Sequence, residues 1–185
     1  MGWHMRIRVK DMSDCAMFSI LVTIGAYIKI PIATPITLQT LFVVFAGLML
    51  KKNIAVLSIL LYIIIGLFGF PVFSSGGGLG YIMHPTFGYL LGFMIATYVI
   101  SVFSENQTSF LILLMIALFA ILVIYVCGFI YFYFIQNIYF KSNISFRWMF
   151  YYLFLIYLPG DIISCIIAVY LKKRLFFRPI RSKKL

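Results

Sequence analysis

Charge is scarce in this sequence: charged side chains make up 10% of its 185 residues, and only four of them are acids. A soluble domain carries about 25% charged residues, whereas this chain is 64% hydrophobic with a mean hydropathy of +1.11. It therefore reads as a polytopic membrane protein. Cysteine is limited to Cys15, Cys127 and Cys165, all inside apolar runs and without a C-x-x-C pair. That argues against a disulfide framework and against a thiolate metal site. The only histidines are His4 and His84, and no G-x-S-x-G elbow accompanies Ser74 and Ser75. A Ser-His hydrolase thus has no support, and we expect no catalytic group, metal or cofactor.

The formal charge of +11 invites a nucleic-acid reading, but the basic residues sit at the ends and in short gaps rather than along an amphipathic face. That is a membrane-topology pattern, and no nucleic-acid partner is expected. Spanning helices need roughly 17 to 25 mostly apolar residues. On that template six segments are expected, near Ser13 to Ile30, Ile36 to Leu50, Ile54 to Phe70, Pro85 to Phe103, Phe110 to Ile135 and Trp148 to Leu171. The second is short, bounded by Pro31 and Pro35 before it and by Lys51 and Lys52 after it. The first reads as a retained span and not a signal peptide, because no cleavage site and soluble domain follow it. A basic segment 1–12, a membrane domain 13–171 and a basic tail 172–185 complete the division.

Six spans place both termini on one side. Arg6, Arg8, Lys10, Lys51, Lys52 and the seven basic residues from Lys172 to Lys184 share that side, twelve of the fifteen in all, against Lys29, Lys141 and Arg147 opposite. The positive-inside rule makes the termini cytoplasmic. The stretch Pro71 to Phe93, with Gly76, Gly77, Gly78 and Gly80 between the third and fourth spans, then faces outward. Such a loop is either a flexible external turn or a ligand loop whose backbone approaches its ligand closely.

Several polar residues stand out against the apolar background. Asp161, in Leu158-Pro159-Gly160-Asp161, falls near mid-membrane, ~20 Å from Trp148 and ~16 Å from Lys172 by helical rise. Burying a carboxylate there costs about 2.5 to 3.5 kcal/mol on insertion scales. Asp161 is either the N-cap of a helix restarted at Pro159 or a contact for a ligand or proton. Gln39 offers an interhelical hydrogen bond or a ligand contact, and Lys29 either snorkels outward or meets an anionic group. His84 reads as a loop hydrogen-bonder. Tyr81 and Tyr89 lie around the glycine loop and Tyr157 near Asp161, as pocket walls or as interface aromatics. Cys15, Ser19 and Thr23 fall four apart on the first span, as do Gly88, Gly92 and Ala96 on the fourth. Each stripe allows close packing within the chain or docking of a second membrane subunit.

The ordered set Ile30-Pro31, Thr34 to Phe42, Ala46-Gly47-Leu48, Gly66-Leu67-x-Gly69-x-Pro71-Val72-Phe73, the Gly76 to Gly80 run, Pro85-Thr86-x-Gly88-Tyr89-Leu90-x-Gly92-Phe93 and Leu158-Pro159-Gly160-Asp161 resembles the BioY family. These are the biotin-binding S components of energy-coupling factor (ECF) vitamin transporters. The resemblance implies a six-helix protein of the bacterial cytoplasmic membrane that captures biotin from outside and tips within the bilayer to deliver it. It implies partners as well: a transmembrane coupling subunit, docked on Cys15, Ser19 and Thr23, and two ATPase subunits. No Walker A sequence is present, so ATP hydrolysis falls to those partners. The implied substrate site comprises Asp161, Gln39, Gly77, Gly78, Tyr81, His84, Tyr89, Ser164 and Lys29. Members usually carry a lysine for the biotin carboxylate where this chain has Ser164, and a glycine where it has His84; Lys29 and His84 are the candidate replacements. Two alternatives are an S component for a biotin precursor or another small vitamin, and a structural membrane subunit without ligand.

Overall fold

Residues 8–30 and 36–176 are described by a computed structural model of the chain. Arg6, Pro31, Thr34, Pro35, Arg178, Arg181, Lys183 and Lys184, on which parts of the expected boundaries and charge pattern rest, lie outside those residues. The described residues form six helical rods and one two-residue antiparallel strand pair. The helices are α1 (Val9–Tyr27), α2 (Gln39–Met49), α3 (Lys52–Leu67), α4 (Phe87–Phe103) and α5 (Phe110–Tyr133), which runs on as a π-helical stretch Phe134–Tyr139. The sixth rod is interrupted: α6 (Phe146–Phe150), a π-helical turn Tyr151–Leu155, then α7 (Leu158–Phe176).

Two of these rods, Phe110–Tyr139 and Phe146–Leu175, are long and apolar enough to cross a membrane; α2, α3 and α4 are shorter apolar helices. The expected second span is the clearest departure, since α2 has 11 residues, about 16 Å of helix against a hydrocarbon core of about 30 Å. Its start is set by the strand pair β1 (Lys29–Ile30) with β2 (Ile36–Thr37), in which Lys29 faces Thr37. The chain leaving α1 therefore folds back before it can become helical, and Gln39 and Thr40 become the first turn of α2.

Packing places α2 against α1, α3, α4 and α7, while α4 and α5 form the most extensive helix pair and α5 continues the ring to α7. Both stripes of small residues are used inside the chain. On α1 the Ser19 hydroxyl lies 2.9 Å from the Cys15 carbonyl and 2.7 Å from the Ser58 carbonyl of α3. Cys15 and Ser19 are buried, and the Thr23 hydroxyl donates to Ser19 O at 2.9 Å. Of the docking stripe expected from Cys15, Ser19 and Thr23, Ser19 thus packs against α3 of the same chain through the Ser58 carbonyl. On α4, a Cβ at Gly88 would sit 2.2 Å from Tyr131 Cβ, and one at Gly92 would sit 2.9 Å from Ile124 Cα. Close backbone approach of this kind is what drives helix association in lipid, where apolar surface gives no preference for protein over solvent.

The glycine stretch is a packed hairpin rather than a loose turn. Phe73 and Gly76 exchange backbone bonds of 3.0 and 3.3 Å, and the Phe73 ring is fully buried between Tyr62 and Tyr81. Gly76 and Gly78 take φ of +117° and +102°, which side chains disfavour. The Gly78 N–H donates to Gly66 O at 2.7 Å, closing the hairpin onto the end of α3.

Gly88→Ala is expected to wedge α4 from α5 at a cost of about 1–3 kcal/mol, lowering the thermal midpoint in detergent by several degrees. Gly80→Ala meets nothing within 4 Å and is expected to leave it unchanged. Equal midpoints for the two variants would contradict the close α4–α5 contact.

Candidate functional site

A cavity of about 80 Å³ lies between the first turns of α2 and α7, the facing sides of α4 and α5, and the inner wall of the glycine hairpin. Pro159 cannot supply the backbone donor of a continuous helix, so the sixth rod restarts as α7 and Asp161 falls in its first turn, where the positive end of the helix dipole favours a carboxylate. Asp161 is 4% exposed. Its Oδ2 accepts from the Tyr125 hydroxyl, and the Thr40 hydroxyl bonds the same carboxylate. Three elements therefore converge on one acid: α7 carries it, α5 and α2 each supply a donor.

Gln39 is 5% exposed beside that carboxylate. Its Nε2 donates to the Tyr62 oxygen at 2.7 Å, and the Tyr62 hydroxyl donates to the Val72 carbonyl at 3.2 Å. Across the cavity the Tyr81 hydroxyl lies 3.2 Å from Thr86 Oγ1 and 3.5 Å from Ser74 Oγ. Tyr89 lines the wall and donates to Leu153 O at 3.1 Å, while Leu90, Phe93 and Ile124 supply apolar surface. Acceptors thus gather at the Asp161 side and hydroxyls at the hairpin side, with apolar walls between. Such a cavity can orient a small ring bearing both N–H and C=O groups; no nucleophile and base pair is set up in it. Among the described residues no cluster of three His, Cys, Asp or Glu side chains could hold a metal ion.

Of the residues singled out in the sequence, Asp161, Gln39, Tyr81, Tyr89 and Tyr157 meet at this cavity. The others do not. Lys29 donates through Nζ to the Ser74 carbonyl and so fastens the hairpin from outside. Ser164 is buried one turn further along α7 and does not line the cavity. Gly77 and His84 line a wide outer basin of about 700 Å³, and Gly78 lines neither space, its N–H being committed to Gly66. Gly77 is a glycine because a Cβ there would lie 2.1 Å from Phe70 O, a packing reason and not a ligand one. Tyr81 lines both the cavity and the basin and stacks on His84 with ring centroids 4.9 Å apart. Tyr125 and Thr40, which hold Asp161, were not singled out as site residues. A hydroxyl in the middle of the unbroken apolar run of α5 was the one available signal for Tyr125.

His84 Nδ1 lies 2.7 Å from Thr86 Oγ1 and accepts from the Thr86 N–H at 3.4 Å, which requires the neutral ring with its proton on Nε2. Partial burial holds its pKa below the usual histidine value. A lowered pKa favours the neutral form in the fold, so the contribution is complete above about pH 6.5 and is lost as pH falls through the lower folded value. Amide exchange over 79–86, corrected for intrinsic rates, is expected to show protection declining below pH 6.5. In His84→Gln that decline should vanish; the same decline in both proteins would exonerate His84.

A model of the BioY family matches residues 3–178 of the chain. A probable biotin transporter BioY of Lysinibacillus sphaericus is 38% identical over 178 residues, covering 92% of this chain and 89% of that protein. A probable biotin transporter BioY of Pyrococcus horikoshii is 40% identical over 124 residues, 66% of this chain and 74% of that protein. Among solved structures, the S-component for biotin from an ECF-type ABC transporter aligns with a TM-score of 0.81 at 24% identity, covering 97% of this chain and 96% of that one. That likeness establishes the fold.

Proposed function

The chain belongs to the BioY family, and on that premise we propose that it is the substrate-capturing S component of a biotin uptake transporter, not an enzyme. The observation that carries this reading is the buried Asp161 carboxylate, held by Tyr125 and Thr40 at the edge of a small cavity with mixed polar and apolar walls. A ureido ring presents two N–H donors and one carbonyl. Ionised Asp161 accepts from the first as a charge-assisted bond, and the Ser74, Tyr81 and Thr86 hydroxyls serve the carbonyl. The sulfur-containing ring packs against Leu90, Phe93 and Ile124.

The cavity of about 80 Å³ is below the roughly 300–1,000 Å³ of ligand pockets. Biotin enters when Tyr81 swings from its stack on His84 and joins the cavity to the outer basin. The aliphatic tail then runs into the basin, whose wall includes His84 and Gln136, in place of the lysine absent at Ser164. In this proposal the termini are cytoplasmic, the glycine hairpin faces outward across a bacterial cytoplasmic membrane, and an ECF coupling subunit with two ATPases supplies the energy.

Calorimetric titration of the detergent-solubilised protein with biotin, desthiobiotin, thiamine and riboflavin tests the assignment. Saturable biotin binding is the expected result, and Asp161→Asn should weaken it at least tenfold, about 1.4 kcal/mol, with insertion intact. Unchanged affinity in that variant removes Asp161 from the site. Binding of another vitamin alone would mean a retuned pocket, and silence across the panel from folded protein would favour a structural subunit.

A further inference from the structure

We infer that Tyr62, which does not itself line the cavity, is a positioning residue: it fixes the orientation of the Gln39 amide and makes that side of the site a hydrogen-bond acceptor. The inference rests on the cavity being the biotin site.

A tyrosine hydroxyl has a single proton. Carbonyls only accept, so the 3.2 Å contact between the Tyr62 hydroxyl and Val72 O commits that proton to the hairpin backbone. Tyr62 can then only accept from Gln39, which must present its NH2 at 2.7 Å and direct its Oε1 elsewhere. If the amide were flipped, Tyr62 would have to turn its proton to Gln39, and the Val72 carbonyl would lose its partner. The observed orientation keeps one bond more. Tyr62 is 1% exposed and wedged edge-on against Phe73 at 5.4 Å, so no water competes for the arrangement. Gln39 Oε1 has no partner among the described residues, in a side chain 5% exposed that lines the cavity.

The consequence concerns ligand class. The residues Gln39 and Asp161 on one side of the cavity both offer oxygen acceptors, so that side favours ligands with paired N–H donors, as in a cyclic urea. It disfavours rings in which one N–H is replaced by an acceptor. Because Tyr62 belongs to α3 and bonds the hairpin at Val72, closure of the hairpin and the polarity of Gln39 are set together.

The test uses biotin and its two cyclic carbamate isomers, each with one ureido N–H exchanged for an ether oxygen of nearly the same shape. Both isomers should bind the unaltered protein more weakly than biotin. In Tyr62→Phe the Gln39 amide is free to turn its NH2 to the ether oxygen. Discrimination against one isomer should then fall about three- to tenfold, the worth of one neutral hydrogen bond. Discrimination against the other isomer, which opposes Asp161, should not change. A merely structural role for Tyr62 would weaken all three ligands together. Two unmoved ratios in a variant that binds biotin overturn the inference while leaving the biotin assignment standing. Absence of biotin binding to the unaltered protein overturns both. If Tyr62→Phe does not fold, Gln39→Met decides: it should abolish discrimination against the same single isomer, and intact discrimination there overturns the inference.

Discussion

A carboxylate buried in an apolar helix bundle has to be given partners, and much of this chain is arranged to meet that demand at Asp161. Left unpaired at membrane depth it would cost several kcal/mol or be forced to take up a proton. The sequence answers with a proline that restarts the sixth rod as α7, so that the acid sits in a first turn. A hydroxyl from the middle of α5 adds a second provision, and the shortened α2 adds a third by putting Thr40 at the same depth. A full-length second span with its first turn higher in the bundle would carry Thr40 and Gln39 away from the acid. The strand pair that shortens α2 therefore belongs to the site as much as to the fold.

The glycines serve the same arrangement at one remove. Those of α4 and α5 bring the two helices into close backbone contact, while those of the hairpin let its backbone lie against the end of α3. Gly78 bonds Gly66, and Phe73 fills the space beneath. In the hairpin the missing side chain of Gly77 makes room for the Phe70 carbonyl, while Gly76 and Gly78 are required by their positive φ. The wall that faces the cavity is built from Ser74, Tyr81 and Thr86.

Helix number was legible in the sequence because it follows from counting apolar run lengths. Gln39, Tyr81 and Tyr89 were legible as polar or aromatic residues out of place beside a break in the chain. What counting could not reach was partnership across sequence distance. Tyr125 meets Asp161 over 36 residues and Tyr62 meets Gln39 over 23, and no local pattern records either pair. The same blindness explains the α1 stripe, since spacing shows that small residues share a face and not which helix covers it. Lys29 was ambiguous for a related reason: a lysine near a pocket mouth has the same sequence signal whether it meets a ligand or a loop carbonyl.

The charge pattern of the cavity constrains which end of a ligand it can hold. Among its described lining residues there is one acid and no base, because Lys29 is engaged with Ser74 and the position for a lysine on α7 carries the neutral Ser164. Two carboxylates about 4 Å apart repel by about 4 kcal/mol at the effective dielectric of a partly shielded site. A ligand that brings its own carboxylate must therefore keep that group outside, in the open basin beyond Tyr81, where water screens it. The neutral ring is then the only part suited to the interior. For the proposed biotin site this makes the tail a spacer as well as a contact: it has to be long enough to pass Tyr81 before it ends in charge. A shorter acid built on the same ring would leave its carboxylate beside Asp161, and repulsion there would outweigh the hydrogen bonds its ring could make.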